Sequence, residues 1–228
     1  MKCATAALLM AGVLATGASA QDSDASAEIA AELAGQWQIV PVDGRPACTV
    51  TLGIAAARGG WQAQPDPDCR TNVPAVADTA GWTFAGGMRL LDAEGVILMH
   101  FEEDETALPS SPSVAAPAFY LVPAMPGFDR LRQPGEWAGT WQFTAKGQKP
   151  CVLRFGPPLL PDGNPSGGRV SVERCSSPML RQMNHWYAEG MNLMLAGPQD
   201  AQIAFVPDGA ESHRSDDGRW RLGRVKAR

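Results

Sequence analysis

Leu33-Ala34-Gly35-Gln36-Trp37-Gln38-Ile39 returns 104 residues later as Trp137-Ala138-Gly139-Thr140-Trp141-Gln142-Phe143. The echo continues outward from this stretch in unchanged order. Pro46-Ala47-Cys48 matches Lys149-Pro150-Cys151, Cys69 matches Cys175, and Trp82 matches Trp186, again at an offset of 104. Gly87-Met88-Arg89-Leu90 aligns with Gly190-Met191-Asn192-Leu193, Phe101 with Phe205, and Phe119-Tyr120-Leu121 with the stretch from Arg219 to Leu222. Ordered landmarks at a nearly constant offset are the mark of a duplicated unit. The chain is therefore two tandem copies of one small domain.

The repeat also settles the cysteines. Cys48, Cys69, Cys151 and Cys175 allow three pairings, and spacing alone does not choose among them. Because each copy holds one pair, the duplication implies Cys48 with Cys69 and Cys151 with Cys175. Loops of this size stabilise a domain by roughly 3 kcal/mol, chiefly by restricting the unfolded chain. The fifth cysteine, Cys3, lies in the leader and has no partner in the repeat.

Within each copy the runs read as strands. Trp37–Val40, Cys48–Leu52 and Val96–Phe101 are short and rich in β-formers, and turn residues such as Asp43-Gly44 and Glu94-Gly95 separate them. Cys151–Phe155 and Ala201–Phe205 repeat the pattern. The fold class expected from this is all-β, with each copy a small antiparallel barrel or sandwich. The paired tryptophans Trp37, Trp82, Trp141 and Trp186 read as core, as does the pair Met88 and Met191. Trp61 and Trp137 have no obvious counterpart and read as surface contacts.

Residues 1–20 have the make-up of a secretory signal peptide: Lys2, an apolar run from Ala4 to Ala15, and Ala18-Ser19-Ala20 at the cleavage site. The mature chain then begins near Gln21, in the periplasm or outside the cell. Residues 21–32 form an N-terminal arm whose stretch Asp22–Glu32 is either helical or disordered. Copy 1 takes 33–122, a proline- and glycine-rich linker takes 123–136, and copy 2 takes 137–228. Ser110–Pro117 reads as a long loop.

At 45% hydrophobic and 19% charged residues the chain has enough apolar content for buried cores. Its net charge of −5 comes without basic clusters, which argues against nucleic acid and anionic membranes as partners. After the leader, no apolar stretch is long enough to span a bilayer. The chain is expected to be monomeric. His100, His185 and His213 are not at metal-ligand spacing, and nucleophile-elbow, phosphate-loop and dinucleotide motifs are missing from the sequence. No catalytic residue, metal site or cofactor is assigned, and the three histidines read as surface or strand-face residues.

Taken together, Glu32-Leu33-Ala34-Gly35-Gln36-Trp37, Cys48-Thr49-Val50-Thr51-Leu52, Cys69, and Gly81-Trp82 through Phe101 resemble the bacterial alkaline-proteinase-inhibitor family. The resemblance covers each copy nearly end to end. It implies two lipocalin-like, up-and-down barrels of eight antiparallel strands with one disulfide each. It further implies a periplasmic inhibitor whose partner is a secreted zinc metalloprotease of the serralysin type, blocked by a free arm that approaches the zinc. The arm residues implied here are Gln21, Asp22, Ser23, Asp24 and Ala25. Because Glu136 is fused to the linker, at most one copy can act by this route. Two other readings compete: a periplasmic barrel that holds a small apolar ligand, and an envelope scaffold.

Overall fold

The structure, a computed structural model, describes residues 27–104, 107–111, 118–159, 167–209 and 211–225. The leader and the arm residues Gln21–Ala25 lie outside them.

The chain folds into two closed antiparallel barrels of eight strands each, connected up and down. The first comprises β1 (Gly35–Pro41), β2 (Cys48–Ala57), β3 (Gly60–Pro65), β4 (Gly81–Phe84), β5 (Met88–Leu91), β6 (Ile97–Asp104), β7 (Ala107–Ser111) and β8 (Phe119–Pro123). Ladder pairing of Gln38 with Val122 and of Ile39 with Leu121 closes β8 onto β1. The second comprises β9 (Gly139–Thr144), β10 (Cys151–Leu159), β11 (Gly167–Arg174), β12 (His185–Glu189), β13 (Asn192–Ala196), β14 (Gln202–Pro207), β15 (Ser212–Ser215) and β16 (Arg221–Arg224). Here β16 closes onto β9. Closure leaves no free sheet edge, which solves the edge problem for a small all-β domain.

Cys48 is bonded to Cys69 and Cys151 to Cys175, as the duplication implies. Each second cysteine lies at or just before a single helical turn. These turns are α2 (Cys69–Asn72), and α3 (Pro178–Arg181), where the Ser177 side chain accepts a hydrogen bond from the Leu180 amide.

The repeated residues hold equivalent posts. The Trp82 indole donates to the Gly53 carbonyl at 2.9 Å, and the Trp186 indole donates to the Gly156 carbonyl at 3.1 Å. Against each tryptophan's backbone a glycine opens the preceding strand, because a Cβ at Gly60 or Gly167 would collide with the carbonyl of Trp82 or Trp186. Gly35 and Gly139 begin the first strand of each barrel at φ of 141° and 132°, a conformation that side-chain-bearing residues rarely adopt. The A-G-x-W echo thus marks the sharp entry into each barrel.

The cores differ from expectation in four respects. Trp37 is half-buried and packs against the edge of the first core, whereas Trp82, Trp141 and Trp186 are buried. Trp137 is not a surface contact: it is only 2% exposed and belongs to the second core. Met191 does not fill the second barrel as Met88 fills the first. It lies in the apolar cluster between the barrels, because the β12–β13 turn places it outward against Val40, Val122 and Phe128. His213 is buried on β15, its ring 4.8 Å from that of Trp137. In addition, Ser110 and Ser111, expected in a loop, close β7 onto β8 by pairing with Tyr120 and Phe119.

Candidate functional site

The site anticipated from the sequence is the N-terminal arm. Gln21–Ala25 lie outside the described residues, but the segment that carries them is visible. Residues 27–33 form a helix, called α1 here. This short run of alanine-rich sequence is too brief to be stable alone. Its stability comes from docking: Ala30 is 1% exposed within the first core, and Leu33 packs against the same cluster. The Trp37 indole donates to the Leu33 carbonyl at 2.8 Å and ties the helix end to β1. Glu28 and Glu32 face solvent. The stretch from Asp22 to Glu32 therefore divides, with its second half an anchor on the first barrel.

The second barrel uses the same device with different residues. The Trp141 indole donates to the Trp137 carbonyl at 2.7 Å, the counterpart of the bond from Trp37 to Leu33. Trp137 itself ends a short 3-10 turn, Pro134–Trp137. This turn carries a reciprocal cap between Gln133 and Glu136. Glu136 also receives both arms of the Arg130 guanidinium, at 2.8 and 2.5 Å. That pairing holds the Glu136 carboxyl down to about 2.

What precedes Trp137 is bound along its length to the first barrel. The Ala124 amide donates to the Gln36 carbonyl at 2.9 Å, and the Met125 amide donates to the Gln38 side-chain oxygen at 3.2 Å. The Gln38 amide nitrogen donates to the Phe128 carbonyl at 2.8 Å, and the Ala47 amide donates to the Asp129 carbonyl at 2.7 Å. Gln133 donates to the Val42 carbonyl at 3.1 Å. Composition alone reads this segment as a semi-rigid linker, whereas the hydrogen bonds make it a strap. The decisive residue is Gln38, a polar side chain 7% exposed whose two ends are both satisfied by the strap.

Where the strap meets the second barrel, a cleft is lined by Phe128, Leu131, Arg132, Trp137, Met191 and His213. The Arg132 guanidinium lies 5.2 Å from the centre of the Trp137 ring and 5.4 Å from that of Trp141. Burial, reinforced by the positive charge of Arg132, lowers the His213 pKa to about 4. Nothing in the sequence motifs singles out this cluster. The available signal is that Trp137 stands where the first copy has Leu33, and Arg132 where it has Glu28.

Among the described residues, no group of three or more His, Cys, Asp or Glu side chains converges as a metal site. Among the same residues, no helix is long and apolar enough to cross a membrane.

A closed eight-stranded barrel, stapled by one disulfide and plugged by the segment before its first strand, is thus the unit of this protein, present twice. Residues 28–109 match the family model described as protease inhibitor Inh, a span running from α1 into β7. By that match the first barrel is similar to the protease inhibitor Inh family, and the second repeats its architecture beyond the matched residues. No curated protein matches the chain.

Proposed function

We propose that the protein is a periplasmic or secreted inhibitor of a zinc metalloprotease of the serralysin type, and that its arm near Gln21–Ala25 blocks the protease cleft. The observation that carries this reading is the family match over the first barrel, joined to the docking of α1 on that barrel. A short arm leaving a rigid, closed body loses little conformational freedom at its base when it binds. An extended arm can pair its backbone with a protease edge strand, as a substrate does. A terminal amine or a carbonyl in it can reach the open coordination position that a catalytic zinc keeps. The barrel then bars productive cleavage by its bulk. The second barrel contributes no arm by this route, since the equivalent residues are the strap.

The filled interiors favour this reading over a ligand carrier. Trp82, Leu90 and Phe101 are fully buried in the first barrel, and Trp141, Phe143 and Phe205 in the second. The test compares residues 21–228 with residues 27–228, which keep α1, against a purified serralysin-type protease. Inhibition lost with residues 21–26 supports the arm. Inhibition that survives the truncation moves the site to a barrel loop, and no inhibition by either form rejects the target class.

A further inference from the structure

The cleft at the junction of the strap and the second barrel holds an unusual concentration of unmet polar demand. The Nε of Arg132, Nε1 of Trp137 and Nδ1 of His213 are buried and have no hydrogen-bond partner among the described residues. Trp137 and His213 are 2% and 5% exposed, and all three residues line one cavity of about 110 Å³. Buried polar groups without partners are rare because desolvation without a replacement bond is costly. The contrast with Arg130, two residues away, is direct. Arg130 is paired in bidentate fashion with Glu136, whereas Arg132 forms no ion pair with any described residue.

Duplication of the fold does not require this arrangement. The first barrel closes the same end with Leu33 and has Glu28 at the position of Arg132, and it needs neither a guanidinium nor a second indole there. The stacking of Arg132 on two indole rings fixes a planar, permanently charged fork in place. Such a fork matches a carboxylate in bidentate geometry. The walls beside it, Phe128, Leu131 and Met191, are apolar, while Asp129 and Glu211 supply negative charge to the lining. A ligand that suits all three features has one carboxylate, an aliphatic group next to it, and no further negative charge.

We propose that this cleft binds the terminal carboxylate of a peptide whose last residue is apolar, with Arg132 as the carboxylate receptor and Phe128, Leu131 and Met191 as the seat of the side chain. The site is independent of the arm, and its test needs no protease.

Residues 21–228 are labelled with 15N at tryptophan, and the Trp137 indole signal is assigned through Trp137→Phe. The probe is N-acetyl-alanyl-leucine as the free acid, with its terminal amide as the control. A saturable shift of the Trp137 indole with the acid and none with the amide is expected. Arg132→Gln should weaken that binding at least tenfold, and Glu211→Gln should tighten it severalfold by removing a like charge. If Arg132→Gln does not fold, Arg132→Lys retains the charge but not the fork, and weaker binding with an intact indole spectrum is expected. Equal shifts with acid and amide would overturn the proposal. So would an acid response unchanged in both Arg132 variants. The same holds if the acid gives no saturable shift at roughly 10 mM, a concentration at which a millimolar contact registers.

Discussion

The two barrels share strand count, connectivity and staple, yet they fill their interiors differently. Where the first barrel has Leu33, Ile39 and Leu52, the second has Trp137, Phe143 and Phe155 in its core. The aromatic residues form a chain of contacts. Phe143 meets Phe205 edge-on at 5.4 Å, and Phe155 stacks on Trp186 at 5.9 Å. Such contacts stabilise beyond the area they bury. The first barrel instead completes its plug with a helix whose preceding residues are its own N-terminal arm. The comparison teaches that one fold can be closed in two ways. In one the lead-in is the proposed inhibitory arm, and in the other it is bound to the neighbouring domain.

The largest expected difference concerns that lead-in. Removing residues 21–26 should lower inhibition of a serralysin-type protease by at least a hundredfold, whereas Trp141→Phe in the second barrel should leave it within twofold. Inhibition constants for the three proteins decide the matter, and equal losses would erase the distinction drawn between the barrels.

Next come the indole posts. Trp141→Ala removes a fully buried ring and should cost about 3–5 kcal/mol in denaturant unfolding. Trp37→Ala, at the matching but half-buried post, should cost about half as much by the same reasoning. Similar costs at both posts would mean that the two plugs are energetically alike.

A third difference is in pH response. Burial lowers the pKa of His213 in the folded state to about 4, well below the value of about 6.5 in the unfolded chain. Between those values the unfolded state binds more protons than the folded state, so stability rises with pH across that window. Acidification from pH 6.5 to 4 should therefore remove up to about 3 kcal/mol from the second barrel. His213→Gln should flatten this part of the stability profile.

The smallest effect expected is at the contact between the barrels. Met191→Ala opens the apolar cluster shared with Val40 and Phe128 and should cost about 2 kcal/mol. It should also separate a single unfolding transition into two, which calorimetry resolves. An unchanged single transition would show that the strap alone couples the domains.

The duplication, the cysteine pairing and the positions of most strands were legible from the sequence because they rest on local and repeated signals. Cys48 and Cys151, Trp82 and Trp186, and Gly35 and Gly139 each announce one post twice. Legibility failed where copies were repurposed. Met191 aligns with Met88 but faces outward, and Trp137 aligns with Leu33 without resembling it. The strap failed for another reason. Its proline and glycine content describes what the backbone can do alone, while its order comes from Gln36, Gln38, Ala47 and Val42, far away in the sequence. His213 lacked a signal altogether, since burial of a lone histidine on a strand depends on what the rest of the barrel brings to it.

The strap has one more consequence. An inhibitor of the kind proposed must survive its proteases, and a stretch joining two domains is ordinarily where such a chain is cut. Proteolysis requires a segment to leave its own partners and lie extended in an enzyme's cleft. Between Ala124 and Gln133 those partners are the backbone and side chains of the first barrel, so cleavage there must wait for local opening. Tethering the joint in this way makes it a poor substrate for proteolysis.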